Sequence, residues 1–153
     1  MPVTTTKFQT YQLYAGASTA GKAQINHANS AAGAFKVTLH ASAMTKNNNF
    51  SAVSQLTSEI SAANYVIGGV GLANITFTVA ASGTATWDAD DVIVTASGTP
   101  ISAAFAVVHY ASGRATAADA PLMFWIDFGQ TETAGTGTTF QIQWAADGIM
   151  QIK

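Results

Sequence analysis

The chain has no cysteine, which excludes a disulfide framework and thiolate metal sites. Charge is scarce as well. Only 9% of the 153 residues are charged, against about 25% in an average soluble domain. The surface must therefore be covered by Ser, Thr, Asn, Gln and Ala. Such a surface repels itself weakly and is buried against a partner without stripping water from many ions. The six basic residues, Lys7, Lys22, Lys36, Lys46, Arg114 and Lys153, are scattered. They form no stripe able to neutralise a phosphate backbone, so no nucleic-acid partner is expected. No apolar run approaches the ~18 residues of a membrane-spanning helix, and no membrane partner is expected. The opening MPVTTTKFQT lacks the apolar core of a secretory signal.

What is present points to β structure. Hydrophobic residues make up 48% of the chain, enough for one core in a single domain of this length. Residues 1–34 are mostly small and polar, with Tyr11, Leu13 and Tyr14 as the only apolar cluster, and read as an extended arm or loop. Patterning begins at Phe35, where Phe35, Val37 and Leu39 alternate with Lys36, Thr38 and His40, the period of a half-buried strand. Over residues 47–60 the period changes. Phe50, Val53, Leu56 and Ile60 stand three or four apart, which predicts one short amphipathic helix with Asn49 as its N-cap.

Gly68, Gly69 and Gly71 then punctuate the chain. In the next strand Ile75, Phe77 and Val79 are expected to face inward, with Asn74, Thr76 and Thr78 outward. A short strand at Val92–Thr95 ends in the turn Ser97-Gly98-Thr99-Pro100. The nearly all-apolar run Ile101–Tyr110 reads as a central strand covered on both faces. In residues 121–128, Leu122, Phe124, Ile126 and Phe128 form one face and Met123 and Trp125 the other, which the helix, the arm or a neighbouring subunit must cover. Near the C-terminus a three-residue loop, Ala146-Asp147-Gly148, is expected to set Trp144 opposite Met150 and Ile142 opposite Ile152, with Gly148 supplying the left-handed residue. The expected architecture is all-β: an antiparallel β-sandwich or jelly-roll-like domain over residues 35–153, with at most one short helix.

The chemistry-bearing residues form no catalytic constellation. His27, His40 and His109 have no metal-binding spacing and read as surface or hydrogen-bonded side chains. Asp88, Asp90 and Asp91 place three carboxylates within four residues, suited to Ca²⁺. The EF-hand pattern and its closing Glu are missing, however, and Asp commonly caps turns ahead of a strand. Asp127 shares a face with Met123 and Trp125, and is expected to bond loop amides or Arg114 rather than act as a general acid. There is no nucleophile elbow and no phosphate-binding glycine loop. No enzyme activity, cofactor or metal is expected.

The second half of the chain resembles a family of small proteins of tailed-phage genomes. The resemblance is carried by Trp87-Asp88-Ala89-Asp90-Asp91-Val92, by Val107-Val108-His109-Tyr110, and by Pro121-Leu122-Met123-Phe124-Trp125-Ile126-Asp127-Phe128-Gly129. Its strongest part is Thr139-Phe140-Gln141-Ile142-Gln143-Trp144-Ala145-Ala146-Asp147-Gly148-Ile149, and Phe35-Lys36-Val37-Thr38-Leu39 is similar to the family's first strand. It spans roughly residues 35–153. It implies a virion component, labelled head decoration, head fibre or minor tail protein in that family, and supplies no enzyme residues. The expected function is that of a capsid decoration (cement) protein of the virion, a homotrimer bridging major-capsid subunits. The alternatives are a minor tail or tail-tip subunit, or a module binding host-surface glycans. The residues expected at its interfaces are Tyr11, Leu13, Tyr14, Met123 and Trp125. For Met123 and Trp125, packing inside their own domain is an equal alternative.

Overall fold

A computed structural model describes the chain at residues 4–7, 25–112 and 117–152. Their regular structure is ten strands and two single turns of 3-10 helix. Strands β1 (Thr4–Lys7), β2 (Phe35–His40), β3 (Val70–Gly71), β7 (Ile101–Tyr110) and β8 (Leu122–Ala134) form one sheet in the order β1-β8-β7-β2-β3. Strands β4 (Thr76–Val79), β5 (Ala85–Asp88) and β10 (Met150–Ile152) form a second, ordered β10-β5-β4, and β6 (Val92–Thr95) pairs with β9 (Thr139–Ile142). Every pairing is antiparallel. The chain is all-β and sandwich-like, as its alternating pattern predicts.

The main core lies between the five-stranded sheet and the two smaller ones. Phe35, Val37 and Leu39 of β2, with Val108 and Tyr110 of β7, meet Trp87 of β5, Val92 and Val94 of β6, and Phe140 and Ile142 of β9. Period-two alternation puts the first three on one face, and burial there is worth roughly 1.5–3 kcal/mol for each large apolar side chain. Trp87 has no exposed surface and is ringed by Phe35 and Phe124. The opposite face of the large sheet carries a second cluster, in which Phe105, Val107 and Leu122 are covered by Met44, Phe50, Val53 and Leu56. The run Ile101–Tyr110 is therefore buried on both faces, as its composition requires.

Four local expectations are corrected. Residues 47–60 are not an amphipathic helix: only Val53–Gln55 forms a single 3-10 turn. The backbone groups there are spent on neighbouring chain. Val53 N donates to the Ala120 carbonyl, Leu122 N to that of Ser51, and Gln55 Oε1 accepts from the amides of Ser51 and Ala52. The spacing of the apolar residues is real, but it serves an irregular cover over a sheet.

Phe77 and Val79 do not face inward. All four residues of β4 are exposed, because the strand runs past the border of the main core, which ends at Ile75. The C-terminal hairpin does not form either. β9 pairs with β6, setting Val92 opposite Ile142, and β10 pairs with β5, setting Met150 opposite Trp87. The turn around Ala146 and Asp147 survives with Gly148 at φ 93°, but it connects two different sheets. Leu122 and Met123 exchange faces: Met123 lies in the main core and Leu122 in the second cluster.

The expected arm over residues 1–34 is partly described. Thr4–Lys7 adds an edge strand to β8. Residues 25–34 belong to the domain: Ile25 and Ala34 are buried, Asn29 Nδ2 donates to Tyr110 Oη, and the Ala111 and Ser112 amides donate to the Ala34 carbonyl. Among the described residues, no helix is long and apolar enough to cross a membrane.

Candidate functional site

The five expected interface residues separate. Tyr11, Leu13 and Tyr14 lie outside the described residues. Met123 is 0% exposed in the main core, so its side chain takes the intramolecular alternative. Trp125 is half-buried against the second cluster, its ring 5.9 Å from that of Phe105. Lys46 Nζ sits 4.8 Å from the Phe105 ring centre and 5.4 Å from that of Trp125, and 3.3 Å from Asp127 Oδ2. The Trp125 indole N–H is buried and has no acceptor. Asp127 Oδ1 accepts from the Gly129 amide at 2.8 Å, so this carboxylate bonds its own strand and a lysine. The amide it accepts from lies within β8 itself, Lys46 supplies a cation, and Arg114 lies outside the described residues.

Two of the clustered carboxylates tie strands together. Asp90 Oδ2 accepts from Asn74 Nδ2, and Asp91 accepts from the Trp144 amide and from Gln141 Nε2. Trp144 Nε1 donates back to the Asp90 carbonyl at 2.9 Å. These bonds pin the turn before β6 to the end of β9, the capping role that Asp plays in turns. Asp88 Oδ1 is buried without a partner. No three His, Asp or Glu side chains among the described residues converge as a metal site.

Of the three histidines only His27 reaches the surface, half-buried. His40 is buried, with Nδ1 2.8 Å from the Thr57 carbonyl and Nε2 2.9 Å from Thr38 Oγ1. A carbonyl only accepts, so Nδ1 carries the proton. Burial lowers the pKa, outweighing the Thr57 bond and the Glu59 charge. The ring is therefore neutral at pH 7, with Nε2 beside the Thr38 hydroxyl, whose oxygen also lies 3.3 Å from the Val107 carbonyl. His109 is also buried; its Nδ1 has no partner, and its pKa is pushed down to about 4 by burial and then by the charges of Lys36 and His40. The main chain of His27 accepts from Trp87 Nε1, and its ring lies 5.8 Å from Phe77. These are hydrogen-bonded or packed side chains.

A groove of about 560 Å³ lies between β8, β9 and the chain from Gln143 to Ile149. Phe124, Phe128 and Phe140 line it together with Trp144.

The feature that sequence reading missed is the placement of exposed apolar side chains. Val66, Ile67, Phe77 and Val79 are 71, 68, 37 and 66% exposed. All four fall within residues 60–87, a stretch bounded by Glu59 and Asp88 that contains no charged residue. The loop bearing Val66 and Ile67 is held rather than loose: Glu59 Oε1 accepts from Tyr65 Oη at 2.7 Å and from the Gly68 amide at 2.8 Å, while Tyr65 Oη accepts from the Leu39 amide. Burial raises the Tyr65 pKa, so the phenol stays protonated and able to donate. The signal available in the sequence was the length of that charge-free run. No family model, curated protein or solved structure matches the chain.

Proposed function

We propose that the chain is a structural protein of a tailed-phage particle, a capsid decoration protein that assembles with copies of itself and binds across major-capsid subunits. The observation that carries this reading is the charge-free stretch of residues 60–87, which presents four large apolar side chains on an ordered β scaffold. Isolated apolar residues on a surface are ordinary. A long run with no charge to oppose close approach suits a surface that is covered in an assembly. The small number of ions elsewhere works the same way, since little solvation is lost when flat polar surface is buried.

The proposed mechanism is mechanical. Each copy makes modest contacts with several shell subunits, and simultaneous engagement multiplies them. A ligand that binds only the assembled shell stabilises it by mass action. The test is to locate the chain in an electron-microscopy map of the particle, and to compare heads with and without it under heat and osmotic shock. Density on the head shell and earlier genome release from undecorated heads are expected. Equal resistance of the two overturns the cement role, and density confined to the tail replaces it with the minor-tail role.

A further inference from the structure

The outer edge of β4 is built to accept another strand. Ala80 N donates to the Thr84 carbonyl at 2.9 Å, so at Ala80 the main chain turns toward β5. Backbone direction alternates along a strand. Thr76 and Thr78 therefore also point toward β5, and the N–H and C=O groups of Phe77 and Val79 point to the opposite, open edge. A second bond agrees: Ile149 N donates to the Trp87 carbonyl at 3.0 Å, which turns Trp87, the residue opposite Phe77, toward β10. Among the described residues no strand lies along this edge of the sheet β10-β5-β4. Folded proteins usually blunt such edges with Lys, Pro or a covering element. Here the edge strand is Thr76-Phe77-Thr78-Val79, β-branched and aromatic throughout, inside the charge-free run.

We propose that β4 pairs antiparallel with β4 of a second copy of this chain, about a two-fold axis at Thr78. Antiparallel pairing sets residues of like parity opposite one another. Centring on Thr78 places Phe77 opposite Val79 of the second copy, and Val79 opposite its Phe77. Both are positions whose backbone groups point outward, so the exposed donors and acceptors satisfy each other. The same register makes an aromatic–β-branched pair on one face and a Thr78–Thr78 pair on the other, both favourable across strands. The odd registers set outward groups against inward ones and mix apolar with polar faces. Neither β4 nor the rest of the run 60–87 carries a charge to oppose the approach. The result is one continuous six-stranded sheet, β10-β5-β4 joined to β4-β5-β10. An isologous contact closes at two copies, so this contact yields a dimer in place of the expected trimer.

The inference rests on the self-assembly part of the proposed function and supplies its contact. Its test uses the purified full chain and no particle. Thr78 meets its own counterpart at a non-hydrogen-bonded position, where Cα atoms are about 4.5 Å apart, within the roughly 4.4–6.8 Å range of a disulfide. The chain has no other cysteine, so Thr78→Cys reports only on contact between copies. Oxidation is expected to convert most of that variant to covalent dimer, while Ile93→Cys, on an exposed position of β6, stays largely without a cross-link. Val79→Lys places a charge on an already exposed position, and is expected to turn the sedimenting dimer into monomer with an unchanged circular dichroism spectrum. A wild-type chain that sediments as a monomer, a dimer indifferent to Val79→Lys, or Thr78→Cys that cross-links no better than Ile93→Cys overturns the proposal. A particle map lacking the chain overturns the virion reading alone.

Discussion

Met123 and Phe124 are neighbours in the chain and bury their side chains in the same core. In a regular strand they would face opposite sides. The ladder between β7 and β8 pairs Val108 with Phe124 but His109 with Leu122, which leaves Met123 as the extra residue of a bulge. Leu122 is thereby delivered to the second cluster beside Val107 and Trp125.

Met123→Ala is accordingly expected to lower stability by about 2–5 kcal/mol, the range for emptying a buried methionine site. Urea unfolding measures it. Self-association of the folded fraction should not change. An unaltered midpoint combined with lost assembly would return Met123 to an interface role.

Acid should weaken the fold through His109. Its folded pKa lies near 4, below the ordinary 6.5, so between these values the unfolded chain binds more protons than the folded one. Stability then rises with pH across that window, and is lost as pH falls from 6.5 toward 4, by up to about 3 kcal/mol. His40, also lowered by burial, acts in the same direction. His109→Leu removes the buried, unpartnered Nδ1 and should flatten the pH dependence while leaving stability at pH 7 equal or higher. Denaturation midpoints at a series of pH values decide it; an unchanged slope would contradict the burial argument.

Two glycines with similar backbone angles should respond differently to alanine. At Gly148, φ is 93° and an added Cβ would stand 2.6 Å from Thr86 Cγ2 and 3.1 Å from the Trp87 carbonyl. At Gly83, φ is 83° and nothing lies within 4 Å. Gly83→Ala should cost about 1–2 kcal/mol for the left-handed conformation alone. Gly148→Ala should cost more, since Thr86 or the junction between β5 and β10 must also move. Thermal melts of the two variants, measured side by side, test the order.

Truncation should show where the domain begins. Deleting residues 1–24 removes β1 but keeps Ile25, His27 and Ala34, so the core is expected to fold. Deleting residues 1–34 removes buried Ile25 and Ala34, the carbonyl that Trp87 Nε1 uses, and the acceptor for the Ala111 and Ser112 amides. That variant is expected to be strongly destabilised or unfolded. Proteolysis of both, with near-ultraviolet circular dichroism of Trp87, distinguishes them.

The sequence by itself determined the class of structure and much of its local detail. Alternation placed Phe35, Val37 and Leu39 on the core face of β2, the nearly all-apolar run marked β7 as covered on both sides, and the Asp-Gly turn put Gly148 at positive φ. These are readable because side-chain direction within a strand, and the φ of a turn, depend on residues a few positions apart. Tertiary structure alone decided the pairings. A turn between β9 and β10 is compatible with a hairpin, yet each strand joins another sheet, β9 beside β6 and β10 beside Trp87 of β5. Phe50, Val53 and Leu56 have helical spacing, but the partner waiting for them is the apolar underside of β7 and β8, which an irregular chain covers as well as a helix. The exposure of Phe77 and Val79 likewise depends on where β4 ends relative to the core beneath it. A periodic pattern states which side chains share a face; whether anything covers that face is settled by elements far away in the chain.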